Sequence, residues 1–417
     1  MAKQDILIFT DCYIYGGSEK LMSFILKNDF LNNNFTFLYS YRKHNIYEIG
    51  LKNEGLLHRK NNYPLILLSN ETLFHKINLT FTNVFLIRVI KIPFFLLELI
   101  KVYFIWNLLI LIYLLIRLKP SIIHINNGGY PAAKSCNVMV IANYLSIRTK
   151  IIYQINNQAQ PRKSFVDKIY DKFINKEVGC FINASQMAKS ELINKRNFDP
   201  EKILLLNNFV PLPKVKMNRY EILKELNIPI DSFLIIQVAF LTERKGQRYL
   251  INALNDLFIK NLISPQKVYC AFIGNGEDEN FLKSYINKLG LSKNVLLLGY
   301  KNNSEDYISA CDLFVLPSIK DEDMPLVLLS ALGYAKPIIA SDFAGISQVI
   351  ETNFNGVLVK NNLETLSNNL SNEIYRLYND EFLRNQLSIN AKRTYLNYSP
   401  ETYGLKLNNI YNKIYVD

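Results

Sequence analysis

A chain of 417 residues exceeds what one hydrophobic core usually covers, so two domains are the default expectation. Apolar residues make up 49% and charged residues 20%, a globular balance that excludes a disordered chain. The net charge of +12 is held unevenly: residues 1–210 carry 26 Lys+Arg against 14 Asp+Glu, and residues 211–417 carry 22 of each.

A basic first half attracts phosphates, of nucleic acid or of anionic lipid. No nucleic-acid-binding module accompanies it, which favours lipid; the plain alternative is a lysine-rich solvated surface. The five cysteines (Cys12, Cys136, Cys180, Cys270, Cys311) are scattered, odd in number and without CxxC spacing. That argues against a disulfide framework or a zinc site and for a reducing compartment. The opening MAKQDILIFT reads as a short strand rather than a signal peptide. With four histidines, His44, His58, His75 and His124, a histidine-dependent mechanism has few candidates.

In chain order, Ile6–Thr10 is the first expected strand. It runs into Gly16-Gly17-Ser18-Glu19, a glycine turn and helix start suited to phosphate or to close approach of an acceptor. Further strands are expected at Phe35–Tyr39, Leu65–Leu68, Ile122–Ile125, Ile151–Ile155 and Gly179–Ile182. Helical patterns fall at 19–28, 84–118, 132–146, 164–176 and 185–196. Alternation of this kind predicts βαβ units and a parallel sheet.

The stretch 84–118 is far more apolar than a helix of such a domain requires. Its best uninterrupted core, Val102–Ile116, has Asn107 as its one polar residue, and Arg88, Lys91, Glu98, Lys101, Arg117 and Lys119 flank or interrupt the whole. That is short of the roughly 18–20 apolar residues of a spanning helix. Aromatic Tyr103, Phe104, Trp106 and Tyr113 fit a membrane-surface helix. The alternative is a core helix packed on Ile122–Ile125, and both hold if one face meets the sheet and the other lipid.

After a hinge with Pro211 and Pro213 the alternation restarts, with strands expected at Phe233–Val238, Val268–Ile273, Val295–Leu298, Leu313–Leu316, Ile338–Ala340 and Val357–Val359. The tail from about 363 reads as helical. Three turns here suit a diphosphate-linked ligand. Arg244-Lys245-Gly246 opens a helix after a strand, setting cations beside free N–H groups, which compensates charge on a diphosphate leaving group. Gly274-Asn-Gly276 lets a ligand approach the backbone. Between Leu313–Leu316 and Ile338–Ala340 lie Pro317-Ser318, the charged loop Lys320–Asp323, a helical run Pro325–Tyr334 and, beyond the strand, Gly345. Doubly wound folds bind ligands at such strand ends. Asp321-Glu322-Asp323 has the Asp-x-Asp form of a metal site, but no further ligand set stands near it in sequence, so no metal is expected.

The order of these pieces resembles the family-4 glycosyltransferases of GT-B architecture over nearly the whole chain. Gly16-Gly17-Ser18-Glu19 is similar to their GG-(A/S)-E turn, and Pro200-Glu-Lys-Ile…Asn207-Asn-Phe-Val210 to their strand before the linker. Lys245-Gly246, Gly274-Asn-Gly-Glu277, Asn294-Val-Leu-Leu-Leu-Gly299-Tyr300, Ala310–Ser318 with Pro325–Leu329, and Asn355-Gly-Val-Leu-Val359 follow in the family's order. The resemblance implies two Rossmann-like doubly wound domains facing across a cleft: 1–210 for the acceptor and the membrane, 211–395 for the nucleotide sugar, and 396–417 as a helix crossing back to the first.

It also implies a retaining transfer of a hexosyl or N-acetylhexosaminyl group from a nucleoside-diphosphate sugar, UDP-linked by preference, to a lipid-linked glycan. No metal or other cofactor and no nucleic acid takes part. Lys245 and Arg244 would hold the diphosphate and Glu322 the sugar hydroxyls. Gly274, Gly276, Gly299 and Tyr300 would line the nucleotide. Met324, Pro325 and Leu326 would meet the donor, with amides at Ala344 and Gly345 capping its phosphates. Gly16, Gly17, His124 and Asn156 would lie on the acceptor and phosphate side. The leaving phosphate itself would take the acceptor's proton.

Three positions depart from the family pattern. The second glutamate of its paired-glutamate signature, which binds ribose, is Ser330; an arginine before the lysine turn is Phe240; a histidine after the fifth strand is Asn156. His124 is in register with a family histidine and is equally well read as a satisfied histidine at a strand end. The resulting expectation is a cytoplasmic enzyme of surface-polysaccharide assembly (O-antigen or capsule), peripheral on the inner face of the plasma membrane. The alternatives are a non-catalytic GT-B scaffold subunit and a nucleotide-sugar epimerase.

Overall fold

The computed structural model describes residues 3–416. The chain forms two compact units. One runs to Leu206 and resumes at Gly404, and the other is Asn207–Tyr403. Residues 396–403, expected in the crossover segment, thus belong to the second unit. The long helix Pro400–Val416 begins in one unit and ends in the other.

The first unit holds a seven-stranded parallel sheet: β1 (Gln4–Thr10), β2 (Phe35–Arg42), β3 (Asn62–Leu65), β4 (Ile122–Asn127), β5 (Lys150–Ile155), β6 (Cys180–Asn183) and β7 (Ile203–Leu205). Their order is β3-β2-β1-β4-β5-β6-β7. The second unit repeats the plan with β8 (Phe233–Val238), β9 (Val268–Ile273), β10 (Val295–Leu297), β11 (Leu313–Leu316), β12 (Ile338–Asp342) and β13 (Val357–Lys360), ordered β10-β9-β8-β11-β12-β13. Strands such as β1 and β11 are continuous apolar runs because helices cover both faces of each sheet. The strand order reverses between β1 and β4 and again between β8 and β11. These are the two switch points, and each opens a crevice at the carboxyl ends of its strands.

Helix starts follow capping chemistry. Ser164 accepts from Asp167 N at 3.2 Å, Asp380 accepts from Leu383 N at 2.8 Å, and Asn218 forms a capping box with Glu221. Two expectations need correction. β3 lies at Asn62–Leu65 rather than Leu65–Leu68, because Ile66 and Leu68 are held from a helix instead. The indole N–H of Trp106 donates to Ile66 O at 3.0 Å, and the Asn107 amide bonds both backbone groups of Leu68. The apolar stretch 84–118 is not one helix. It breaks at Ile100–Lys101, where Lys101 is left-handed at φ 64°, into Val84–Leu99 and Val102–Leu118, bent by 59°. A further helix, Asn70–Thr80, precedes it.

Candidate functional site

In the second unit the two loops flanking the switch point are bolted together. β8 ends at Val238, and the chain turns through Glu243–Lys245 into the helix Gln247–Ile259. Gly246 makes the turn at φ 72°, and a side chain there would run into the carbonyl of Pro317 just beyond β11, so only glycine fits. Ile319 N donates to Arg244 O at 2.8 Å, and the Gln237 amide donates to Lys245 O at 2.8 Å. Lys245 is thereby aimed across the crevice, where its ammonium bonds the carboxylate of Glu322. Both are buried, at 7% and 8% exposure. Ser318 donates to the same carboxylate at 3.1 Å, and Ser341 holds the Ser318 carbonyl at 2.5 Å. Arg244 reaches the carbonyl of Asp321 at 2.9 Å.

The neighbouring strand ends join this frame. Gly274, at φ 142°, packs on the Ala239 carbonyl and Gly276 on the backbone of Leu241. Leu241 N bonds Asn275 O at 3.0 Å, and Gly274 N bonds Gly299 O at 2.9 Å. Gly345 lies against the backbone of Asp323, and the Met324 carbonyl accepts from Asn208 at 2.8 Å. Lys245, Arg244 and Glu322, the Gly274–Gly276 turn, Gly299, and Met324 with Gly345 therefore share the carboxyl-end rim of β8 to β12. Pro325 caps the helix Leu326–Gly333. Ser330 is inside that helix and buried, Ala344 is buried at φ 51°, and Tyr300 and Phe240 are exposed.

In the first unit the turn after β1 is organised by Glu19. Its buried carboxylate accepts from Gly16 N at 3.2 Å and from Ser18 Oγ at 2.7 Å. Burial raises its pKa, while bonds from Ser18, Gly16 and Thr10 oppose the rise. Asp11, at the same strand end, forms a buried ion pair with Arg42 at 2.5 Å. Asn156 lies beside this turn: its amide donates to Asn126 Oδ1 at 2.6 Å, and Asn126 reaches Thr10 at 3.3 Å.

His124 resolves to the second of its two readings. It is wholly buried in β4, in register with Ile8 and Ile152. Tyr411 meets Nδ1 at 2.7 Å and Gln154 Oε1 meets Nε2 at 3.0 Å. Gln154 gives its own N–H to Asn156 at 2.9 Å, so its carbonyl faces the histidine; Nε2 carries the proton and Nδ1 accepts from the tyrosine. Burial lowers the pKa of His124 to about 4. It anchors the C-terminal helix and is closed to a substrate.

Ser318, Gln237 and Arg42 were not picked out in the sequence as site residues. Gln237 left a signal, as the one polar side chain in the apolar strand FLIIQV, and Ser318 another, as the last residue of the run Ala310–Ser318; Arg42 gave none. Among the described residues no group of three or more His, Cys, Asp or Glu is placed to hold a metal ion.

Residues 218–394 match the family model described as glycosyl transferases group 1. The UDP-Gal:alpha-D-GlcNAc-diphosphoundecaprenol alpha-1,3-galactosyltransferase of Escherichia coli is 32% identical over 214 residues, covering 50% of this chain and 53% of that one. The lipopolysaccharide core biosynthesis glycosyltransferase LpsD of Rhizobium meliloti is 28% identical over 170 residues, 41% of this chain and 46% of that one. The chain spans about half the length of the curated relatives it matches. Among solved structures, Anabaena Alr3699/HepE in complex with UDP superposes with TM-score 0.75 at 17% identity, over 98% of this chain and 100% of that one. A glycosyltransferase from Rickettsia africae gives 0.77 at 17%, over 99% of each. At such identity the likeness shows the fold: two Rossmann-like units of GT-B architecture.

Proposed function

Since residues 218–394 belong to the glycosyl transferases group 1 and the chain has the GT-B fold, we propose that it is a retaining, metal-independent glycosyltransferase. It moves a hexosyl or N-acetylhexosaminyl group from a UDP-sugar to a lipid-linked glycan in bacterial surface-polysaccharide assembly. The observation that carries the reading is the buried contact of Lys245 with Glu322 at the switch point between β8 and β11. A carboxylate there accepts hydroxyls of the transferred sugar. An ammonium held beside it, with Arg244, compensates charge growing on the departing diphosphate. The loops carrying these groups are fixed by backbone bonds and by Gly246, so little reorganisation accompanies the reaction. The departing phosphate oxygen accepts the proton of the attacking hydroxyl, which needs no protein base and agrees with the enclosed His124.

The names of the E. coli relative and of the UDP-bound Anabaena structure support the choice of UDP. The basic first unit supports an acceptor presented at an anionic membrane on the cytoplasmic face. The test is release of UDP from a panel of UDP-sugars with membrane-extracted acceptor lipids. Turnover that survives both Lys245→Met and Glu322→Gln defeats the assignment. One observation favours a second reading, a subunit that binds nucleotide without turning it over: a neutral, buried Ser330 where the family signature has a carboxylate. UDP binding with no turnover on any donor would select it.

A further inference from the structure

The helix Val84–Leu99 has no buried residue. Most of its apolar side chains stand in solvent, Phe85 at 77% and Leu99 at 72% exposure; one stripe, Ile87, Ile90, Phe94 and Leu97, is half-buried, and Phe95 meets Phe74 of the helix Asn70–Thr80 with ring centroids 4.8 Å apart. A helix apolar on nearly all sides, with only that stripe partly covered by its own unit, is out of place in water. The next helix, Val102–Leu118, differs. Leu111, Leu114 and Leu115 are in the core of the first unit, while Ile105, Trp106, Leu109, Tyr113 and Ile116 face outward.

The base of this limb is stitched to the unit by polar groups. Trp106 and Asn107 hold residues 66–68, Asn107 also reaches Ser135 at 3.1 Å, and Arg42 bonds the Leu67 carbonyl at 2.5 Å. Glu98, the one acidic residue between 84 and 119, is taken up by Lys134 and Asn70. What remains at the exposed surface is positive: Arg88, Lys101, Arg117 and Lys119 are exposed, and Lys91 lies over the Phe74 ring at 5.0 Å.

We propose that residues 84–116 form a bent limb embedded in one leaflet of an anionic bilayer, entering from one side and not crossing it. This sharpens the membrane partner named above but rests on the limb alone. Length decides against a span. The helix Val102–Leu118 is committed to the core along one face, which leaves Val84–Leu99, and its 16 residues reach about 24 Å against roughly 30 Å of hydrocarbon. No single helix among the described residues is long and apolar enough to cross. Charge decides the lipid: exposed Arg and Lys on long stems snorkel to headgroup level, where anionic phosphates meet them.

Trp106 is the only tryptophan of the chain and stands at 46% exposure on this face, so its fluorescence reports on the limb directly. The full chain is mixed with phosphatidylcholine vesicles containing about one-third phosphatidylglycerol. The expected result is a blue shift, quenching by bromines high in the acyl chain but not by those near its end, and binding at least about tenfold weaker to phosphatidylcholine alone. Exposed-site variants Phe85→Asp and Leu99→Asp, which remove no packing, should abolish sedimentation with vesicles and leave the melting temperature and UDP binding unchanged. Strongest quenching at the bilayer centre would overturn the one-leaflet placement. An unshifted spectrum would overturn the lipid assignment, and a dimer dissociated by the same variants would then identify a second copy as the cover. Vesicle binding without sugar transfer defeats the enzyme reading and leaves this one standing.

Discussion

Lys245 and Glu322, 77 residues apart in sequence, are bonded to each other inside the second unit. Their side chains are 9% and 11% exposed, so each charge has been taken out of water and depends on the other. Removing one partner of a buried pair leaves an uncompensated charge, at a cost of about 3–5 kcal/mol. Lys245→Met and Glu322→Gln should therefore each lower the urea midpoint, and the double variant should recover most of the loss. None of the three should turn over donor. Stability and activity thus separate: if the double variant is as unstable as the worse single one, the pair is not the coupled unit described.

Ser330 is the fifth residue of the helix Leu326–Gly333, which is almost wholly buried. Ser330→Glu places a carboxylate in that interior, and the free protein should melt lower for it. If the ribose hydroxyls of a bound nucleotide reach this point, a charge-assisted hydrogen bond contributes about 1.5–3 kcal/mol. UDP should then bind at least about tenfold tighter than to the wild type and restore the melting temperature. Calorimetric titration decides it, and an unchanged Kd would place the ribose elsewhere.

Two glycines of the expected site are there for different reasons. Gly246 is left-handed and pressed on Pro317. Gly246→Ala combines about 1–3 kcal/mol of backbone strain with a collision and should weaken folding and donor binding together. At Gly17 an added Cβ would meet nothing within 4 Å, and Gly17 is the first residue of a helix. Gly17→Ala should leave stability unchanged or raise it by up to about 1 kcal/mol. If a ligand approaches the backbone there, the same variant should raise the KM for acceptor with the donor KM unmoved; an unaltered acceptor KM argues against contact at Gly17.

The doubly wound plan was legible because parallel strands buried on both faces leave continuous apolar runs between amphipathic helices. Lys245 and Glu322 were legible because each follows such a run at a turn. What was hidden depends on distance in sequence. Nothing local marks Tyr411 as the partner of His124, 287 residues away, or Arg42 as the partner of Asp11. The shift of β3 had the same origin: Leu65–Leu68 has strand character, but Trp106 and Asn107 take its backbone. The break at Lys101 is a left-handed residue that is not glycine, and composition gives no sign of it.

His124 gives the fold a pH dependence whose sign follows from its burial. Its pKa falls from 6.5 to about 4 in the folded chain, so between these values the unfolded chain binds the extra proton. Stability from this site is present in full above about pH 6.5 and is lost as pH falls toward 4, by up to about 3 kcal/mol. His124→Gln keeps a group able to hydrogen-bond but does not titrate. It should be less stable than wild type at pH 7, by about 1–3 kcal/mol for the imperfect partners left to Tyr411 and Gln154. Its unfolding free energy should fall less steeply than the wild type's between pH 6.5 and 4, so the two curves converge as the medium becomes acid. Parallel curves across that window would mean that the proton goes elsewhere, and that the Tyr411–His124–Gln154 chain tolerates an imidazolium.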